Sequence, residues 1–295
     1  MLLKPFDPWN STVCTCPPKH SLNPYTGCSH GCLYCYATSY ITRFDDCRPK
    51  VDLLGRLRRE VGRLKNNDLV ALSNSSDPYP PLENNLRLTR ECLRILGGRG
   101  IPVQVVTKSD LVMGDLDLLR DMKVTVSMTL TTLKDTLSRR LEPGAPLPGR
   151  RLKALALLSR AGVPTSVRVD PIIPLLNDEE IEDLVQAAAQ AGAKHIVSST
   201  YKARADSWKR LKRAFPGEME ALMPAYFERG EVIGASRYLP REQRARLLSL
   251  VKATAIRNDM TFSACREGIL VGSPSCDGTH LVRPNGMVWV AGLKE

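Results

Sequence analysis

Residues 23–37 read NPYTGCSHGCLYCYA. Cys28, Cys32 and Cys35 fall within eight positions, Gly27 and Gly31 stand beside the first two, and Tyr34 and Tyr36 flank the last. Thiolates this closely spaced can wrap one compact electron-rich object, because glycine lets the backbone fold tightly around it. Two occupants fit. A zinc ion would take a fourth ligand from His30 or from a distant cysteine. An iron–sulfur cluster on three thiolates would instead keep one iron without a protein ligand, free to bind a small molecule.

The rest of the chain sets the context for that loop. With 295 residues and 43% hydrophobic content it can bury a large core, as one α/β domain or a main domain with an appendage. No apolar run approaches the roughly 20 residues that span a bilayer, and MLLKPFDPWN lacks the basic-then-apolar order of a signal peptide. The expectation is a cytoplasmic protein with no membrane partner, in which clustered cysteines are metal ligands or catalysts rather than disulfides. The net charge of +11 concentrates in RLRREVGRLK (56–65), RRLEPGAPLPGRRLK (139–153) and KARADSWKRLKR (202–213). Such an excess attracts polyanions and points to nucleic acid, either DNA or RNA; the other reading is a set of solvated helix faces.

Short β-rich runs alternate with amphipathic stretches. The runs are 68–74, 102–108, 123–131, 164–170 and 195–200, with a further strand at 21–26 leading into the cysteine loop. Between them lie helical patterns such as Val51, Leu54, Leu57, Val61 and Leu64. This order predicts parallel strands joined by crossover helices. An α/β fold of the partial (β/α)6 TIM-barrel type is expected, with a doubly wound sheet as the second choice, and functional loops at the C-terminal strand ends. Residues 1–202 form the expected barrel with its N-terminal cysteine loop. Residues 203–295 form a mostly helical extension, closed by a β-hairpin turning at Asn285-Gly286.

CSHGCLYC resembles the C-x3-C-x2-C signature of radical S-adenosylmethionine (radical SAM) enzymes. More widely, CPPKHSLNPYTGCSHGCLYCYA, SNSSDPYPPLE, LEPGAPLPGRRL and VRVDPIIPLLND, in that order over roughly residues 14–275, resemble the spore photoproduct lyase-related group, often labelled DNA repair photolyases. The resemblance implies a partial (β/α)6 barrel. It implies that Cys28, Cys32 and Cys35 each bind one iron of a [4Fe–4S] cluster whose open iron chelates S-adenosylmethionine. One electron, from a donor such as flavodoxin or ferredoxin, would yield a 5′-deoxyadenosyl radical that abstracts substrate hydrogen. By position, Ser75, Ser76 and Asp77, with Ser73 and Asn74, would bind the methionine moiety. Ser127, Thr129, Glu142 and Arg168 would complete the cofactor site, Arg168 being suited to a carboxylate. The ordinary reading of these residues is helix capping and structural ion pairing.

The match breaks at one place. Spore photoproduct lyases carry a hydrogen-donating cysteine three residues before the aspartate of the second-strand motif, whereas this chain has Asn74 there. Tyr34 and Tyr36 match the two tyrosines of the family's radical relay. Lys202, with Tyr201, Arg204 and Trp208 after the sixth strand, is a candidate substrate contact, as are Arg283 and Trp289 in the terminal hairpin. Cys14, Cys16, Cys265 and Cys276 would close on a second metal centre, an Fe–S cluster or zinc, if the C-terminal segment folds back across the barrel. The expected function is radical repair or modification of nucleic acid. The rivals are modification of a protein or peptide with an auxiliary cluster, and a non-catalytic zinc module that binds nucleic acid.

Overall fold

The computed structural model describes residues 1–6, 11–65, 67–269 and 273–282. The hairpin expected around Asn285-Gly286, with Arg283 and Trp289, lies outside the described residues. One main sheet organises the chain. Strand β1 (Lys4–Pro5) runs antiparallel to β2 (His20–Leu22). From β2 onward the ladder is parallel through β3 (Val70–Leu72), β4 (Val103–Thr107), β5 (Val124–Thr129), β6 (Thr165–Ile172), β7 (His195–Thr200) and β8 (Thr261–Ala264). Helices including Leu53–Val61, Leu88–Gly97, Pro148–Arg160 and Ile181–Gln190 make the crossovers.

The expected α/β architecture is present, with two adjustments. The strand read over 21–26 joins the sheet only as far as Leu22, and Tyr25–Thr26 pairs with Arg48–Pro49 instead. Pro24 between them has no N–H to offer a ladder. A seventh parallel strand, β8, comes from beyond residue 202, so the C-terminal region extends the same sheet. Between β7 and β8 lie the expected helices, Ala205–Ala214, Pro216–Phe227 and Arg241–Arg257, and a small ribbon of Glu231–Ile233 with Ser236–Tyr238.

Alternation along each strand sorts the side chains into two faces. Val103, Val105, Val124, Val126, Met128, Val167, Val169 and Ile196 join the apolar core beneath the helices. The opposite parity carries Gln104, Thr125, Ser127, Ser166, His195 and Ser263, which are polar and still buried. Buried polar groups need partners, and the C-terminal segment 273–282 bonds two of these residues and packs against two more. Gln104 donates to the Asp277 carbonyl at 2.7 Å, Ser263 donates to the Cys276 carbonyl at 2.6 Å, and the His280 ring meets His195 edge-on at 5.0 Å. Gly278, at φ +81°, lies so close that a Cβ would stand 3.0 Å from His195 and 3.2 Å from Ser166. This plug touches residues of β4, β6, β7 and β8 together, so the sheet curls around it. No helix among the described residues is long and apolar enough to cross a membrane.

Lys19, just before β2, pins the plug. Its ammonium is buried, ion-paired with Asp277, and donates to Gln104 Oε1 at 3.3 Å. Burial alone pushes the Asp277 carboxyl up, but the Lys19 charge and bonds from Lys19 and Thr279 outweigh it and hold the carboxyl at about 2. A carboxyl held below its ordinary value stabilises the fold above that value and loses the contribution as pH falls through the folded one. Asp277→Ala, which strands Lys19, should cost about 3–5 kcal/mol in urea unfolding at neutral pH. The deficit relative to wild type should shrink as pH falls from about 4 towards 2. A deficit independent of pH over that window would contradict the pairing.

Candidate active site

A cavity of about 700 Å³ opens at the C-terminal ends of the strands. Its wall takes Cys28, Cys32 and Cys35 from the loop after β2, Ser73–Asp77 after β3, Lys108 after β4, Thr129 at the end of β5, Arg168 and Asp170 on β6, Lys202 after β7 and Cys265 after β8. The cysteine loop is built by close backbone approach. Gly27, at φ +80°, would place a Cβ 2.5 Å from the Phe44 carbonyl oxygen, and the next N–H, of Cys28, donates to that carbonyl at 2.8 Å. No other residue fits that position.

Two buttresses hold the loop from behind. Leu33 N–H donates to the Leu141 carbonyl and Gly144 N–H to the His30 carbonyl, both at 2.9 Å, while a side chain at Gly144 would collide with the Ser29 carbonyl. From the helix Ala205–Ala214, Arg210 donates to the carbonyls of Leu33 at 3.0 Å and Cys35 at 2.9 Å. A guanidinium from one of the basic stretches is thus a structural clamp.

Glu142 sits under the first buttress. It accepts hydrogen bonds from Tyr34 Oη and, at 2.6 Å, from Thr131 Oγ1, and it pairs with Arg151 at 2.6 Å. Burial pushes its carboxyl up; the Arg151 and Lys108 charges, with the Thr131 and Tyr34 bonds, outweigh that and hold it at about 2. Glu142 is wholly buried and holds Tyr34, a residue of the cavity wall. Ser127 lies mid-strand on β5 and is fully buried. Thr129, one pleat nearer the strand end, does reach the cavity.

The remaining candidates converge on the cavity with their partners. Asp77 accepts from Tyr79 N–H at 2.9 Å, Thr107 Oγ1 at 2.7 Å and Lys108 N–H at 2.8 Å, and its carboxylate lies 3.5 Å from His30 Nδ1. It is therefore a brace between two strand ends and the cysteine loop. Ser76 donates to the Tyr25 carbonyl at 3.3 Å, and Ser75 N–H reaches Asn23 Oδ1 at 3.5 Å. Tyr36 donates to the Asn74 carbonyl at 2.6 Å and stacks on Tyr40. Arg168 pairs with Asp170 at 2.6 Å and bonds Cys265, and Lys202 pairs with Glu267 at 3.0 Å. Trp208 is not a surface contact: it is buried against Tyr226 and Phe227, because its helix packs that face inward. Lys108, Asp170 and Arg266 also line the cavity; Lys108 directly follows a β-branched run, a position where a strand-end side chain meets the mouth.

The three thiols of the loop suit a cluster better than one ion. Burial pushes all three thiols up, Cys28 to about 12, and a bound cation would favour their thiolate forms. Tetrahedral zinc with Zn–S of about 2.3 Å would bring sulfurs to about 3.8 Å of one another. Among the described residues, Cys28, Cys32 and Cys35 form no set within 4.8 Å, with or without His30, which faces Asp77.

Removing the Glu142 charge tests the buttress. Glu142→Gln should cost about 3–5 kcal/mol in denaturant unfolding by leaving Arg151 without its buried partner. Thr131→Val should cost about 1 kcal/mol. Wild-type stability for the glutamine variant would show that the carboxylate does not hold the loop.

The geometry agrees with what the chain is similar to. Residues 22–188 match the Radical SAM superfamily. An uncharacterized protein of Mycobacterium tuberculosis is 30% identical over 256 residues, covering 79% of this chain and 74% of its own length. The radical SAM Nalpha-GlyT isomerase of Pseudomonas phage M6 is 24% identical over 255 residues, 83% of this chain and 53% of the phage protein. A spore photoproduct lyase variant solved with bound AdoMet and dinucleoside spore photoproduct shares the fold, with a TM-score of 0.66 at 16% identity over 85% of this chain and 76% of the lyase. A cavity walled by three loop thiols at the strand ends of a curled parallel sheet, and a family match over residues 22–188, lead to one conclusion: this chain belongs to the radical SAM superfamily, enzymes that use a [4Fe–4S] cluster and S-adenosylmethionine.

Proposed function

We propose that this enzyme abstracts hydrogen from a nucleic acid, repairing or modifying a base or sugar. The observation that carries the reading is the charge of the cavity. Among the described residues its wall bears Lys4, Lys50, Arg56, Lys202, Arg204 and Arg266 besides Lys19, Lys108 and Arg168, against Asp77, Asp170 and Asp277 among acids. Such a cleft concentrates a polyanion at its mouth. Likeness to a lyase solved with a dinucleoside photoproduct supports the same substrate class.

When bound, the cluster and S-adenosylmethionine supply a carbon-centred radical that takes a substrate hydrogen. Cys28, Cys32 and Cys35 hold the cluster. Ser75 and Ser76 offer polar groups to the cofactor on the wall beside it, while Asp77 braces that wall from within. Arg168 presents a guanidinium for a carboxylate or ribose. Tyr34, Tyr36 and Lys202 face the same space. At Asn74 the wall carries an amide, held by Ser21 at 2.8 Å, which cannot return a hydrogen atom as a thiol does. The net reaction therefore differs from thymine photoproduct reversal through that position. A base stacked in a duplex cannot enter such a cavity, so single-stranded or flipped nucleotides are the substrate form.

Anaerobic protein, S-adenosylmethionine and reduced flavodoxin, ferredoxin or dithionite should release 5′-deoxyadenosine faster when single-stranded DNA or RNA is added. Uniformly deuterated oligonucleotide should pass deuterium into the deoxyadenosine. Binding should weaken steeply with salt, with a log–log slope set by the phosphates contacted. Stimulation by peptides alone, with no isotope transfer from either nucleic acid, would replace this reading. Cys32→Ala should lose iron and form no deoxyadenosine; retained turnover would contradict the ligand assignment.

A further inference from the structure

The loop cysteines are not the only thiols at the cavity. Cys14 and Cys16 precede β2, Cys276 lies in the plug, and all three line the wall. The Cys276 and Cys16 sulfurs are 3.2 Å apart across 260 residues of chain. With a carboxylate oxygen of Asp277 they form a set in which all ligand atoms lie within 4.8 Å of one another. Cys14 shares a side-chain hydrogen bond with Cys16 and stands beside this set, outside its 4.8 Å limit, so its sulfur has to swing inward to reach an ion there. The two sulfurs are nearer than the edge of about 3.8 Å in a tetrahedral thiolate site, and a small outward movement of each would admit a single ion.

We propose that Cys14, Cys16 and Cys276, with Asp277 completing the tetrahedron, hold a single zinc ion that ties the N-terminal segment to the plug. The charges favour it: three thiolates and a carboxylate around a divalent ion leave an excess of negative charge, and the buried Lys19 ammonium offsets it from beside Asp277. The four-thiol set expected from sequence is revised. Cys265 is held on the β6 side by Arg168 and stays outside the ion's first sphere. The reactive setting gives the ion a use. Free thiols readily donate hydrogen to carbon radicals, and metal-bound thiolates carry no S–H to give. The site also closes the floor of the cavity by joining two ends of the sheet. This centre is independent of the substrate reading above and stands or falls separately from it.

The test uses the anaerobically purified full-length protein. Metal analysis should give about one zinc per chain beside the iron of the cluster. X-ray absorption at the zinc edge should show sulfur neighbours at about 2.3 Å with one lighter neighbour. Replacing Cys28, Cys32 and Cys35 together with alanine should remove the iron and leave the zinc, whereas C16S/C276S should lose at least about nine-tenths of the zinc and keep the iron. If the double variant fails to fold, wild-type absorption data still decide. Zinc absent with Cys16–Cys276 found as free thiols or a disulfide, iron and sulfide in place of zinc, or a zinc edge with only nitrogen and oxygen neighbours would each overturn the proposal.

Discussion

The structure depends on one constraint: the concave face of its sheet is polar. Gln104, Thr125, Ser127, Ser166, His195 and Ser263 point where many barrels of this type pack aliphatic side chains, so something hydrogen-bonding must fill the hollow. At the bottom the chain fills it with residues 273–282, fastened by Lys19, Asp277 and Gln104. At the top the same face opens into the cavity, lined by Arg168, Asp170 and the loop thiols. Fold and function are two ends of one polar surface.

That arrangement gives several charged residues near the site partners within the fold. Asp77, Glu142 and Arg210 each spend their hydrogen-bonding capacity on backbone or neighbouring side chains around the cysteine loop. The loop has almost no regular structure of its own, and a cluster ligated by it would otherwise shift with the backbone. Preorganisation here comes from buried ion pairs and carbonyl contacts rather than from a helix or strand beneath the ligands.

The parts of the fold visible in the sequence were those written in local pattern. Runs of valine and threonine marked β3 to β7, and the expected limits of 195–200 coincide with His195–Thr200. The cysteine loop was legible because its ligands are neighbours in sequence. β8 was not: TFSA is short, follows a long helical stretch, and becomes a strand only by pairing with β7. The burial of Glu142 and Ser127 was hidden for a related reason, since position along a motif does not reveal how deep a side chain lies. Lys19 and Asp277 carried no signal, being 258 residues apart and joined only by the plug. A grouping of the thiols from the two ends was legible in the sequence, but that Cys16 and Cys276 are the pair that meets needed coordinates.

The central claim is that three protein thiolates hold the cluster and that its fourth iron faces the cavity. Electron–nuclear double resonance on the reduced cluster, with S-adenosylmethionine labelled with nitrogen-15 at its amino group and oxygen-17 at its carboxylate, tests this most directly. The account predicts hyperfine coupling from both labels, absent in unlabelled samples. A cluster spectrum unchanged by S-adenosylmethionine, with no coupling to either label, would mean that the fourth iron is already ligated and would contradict it.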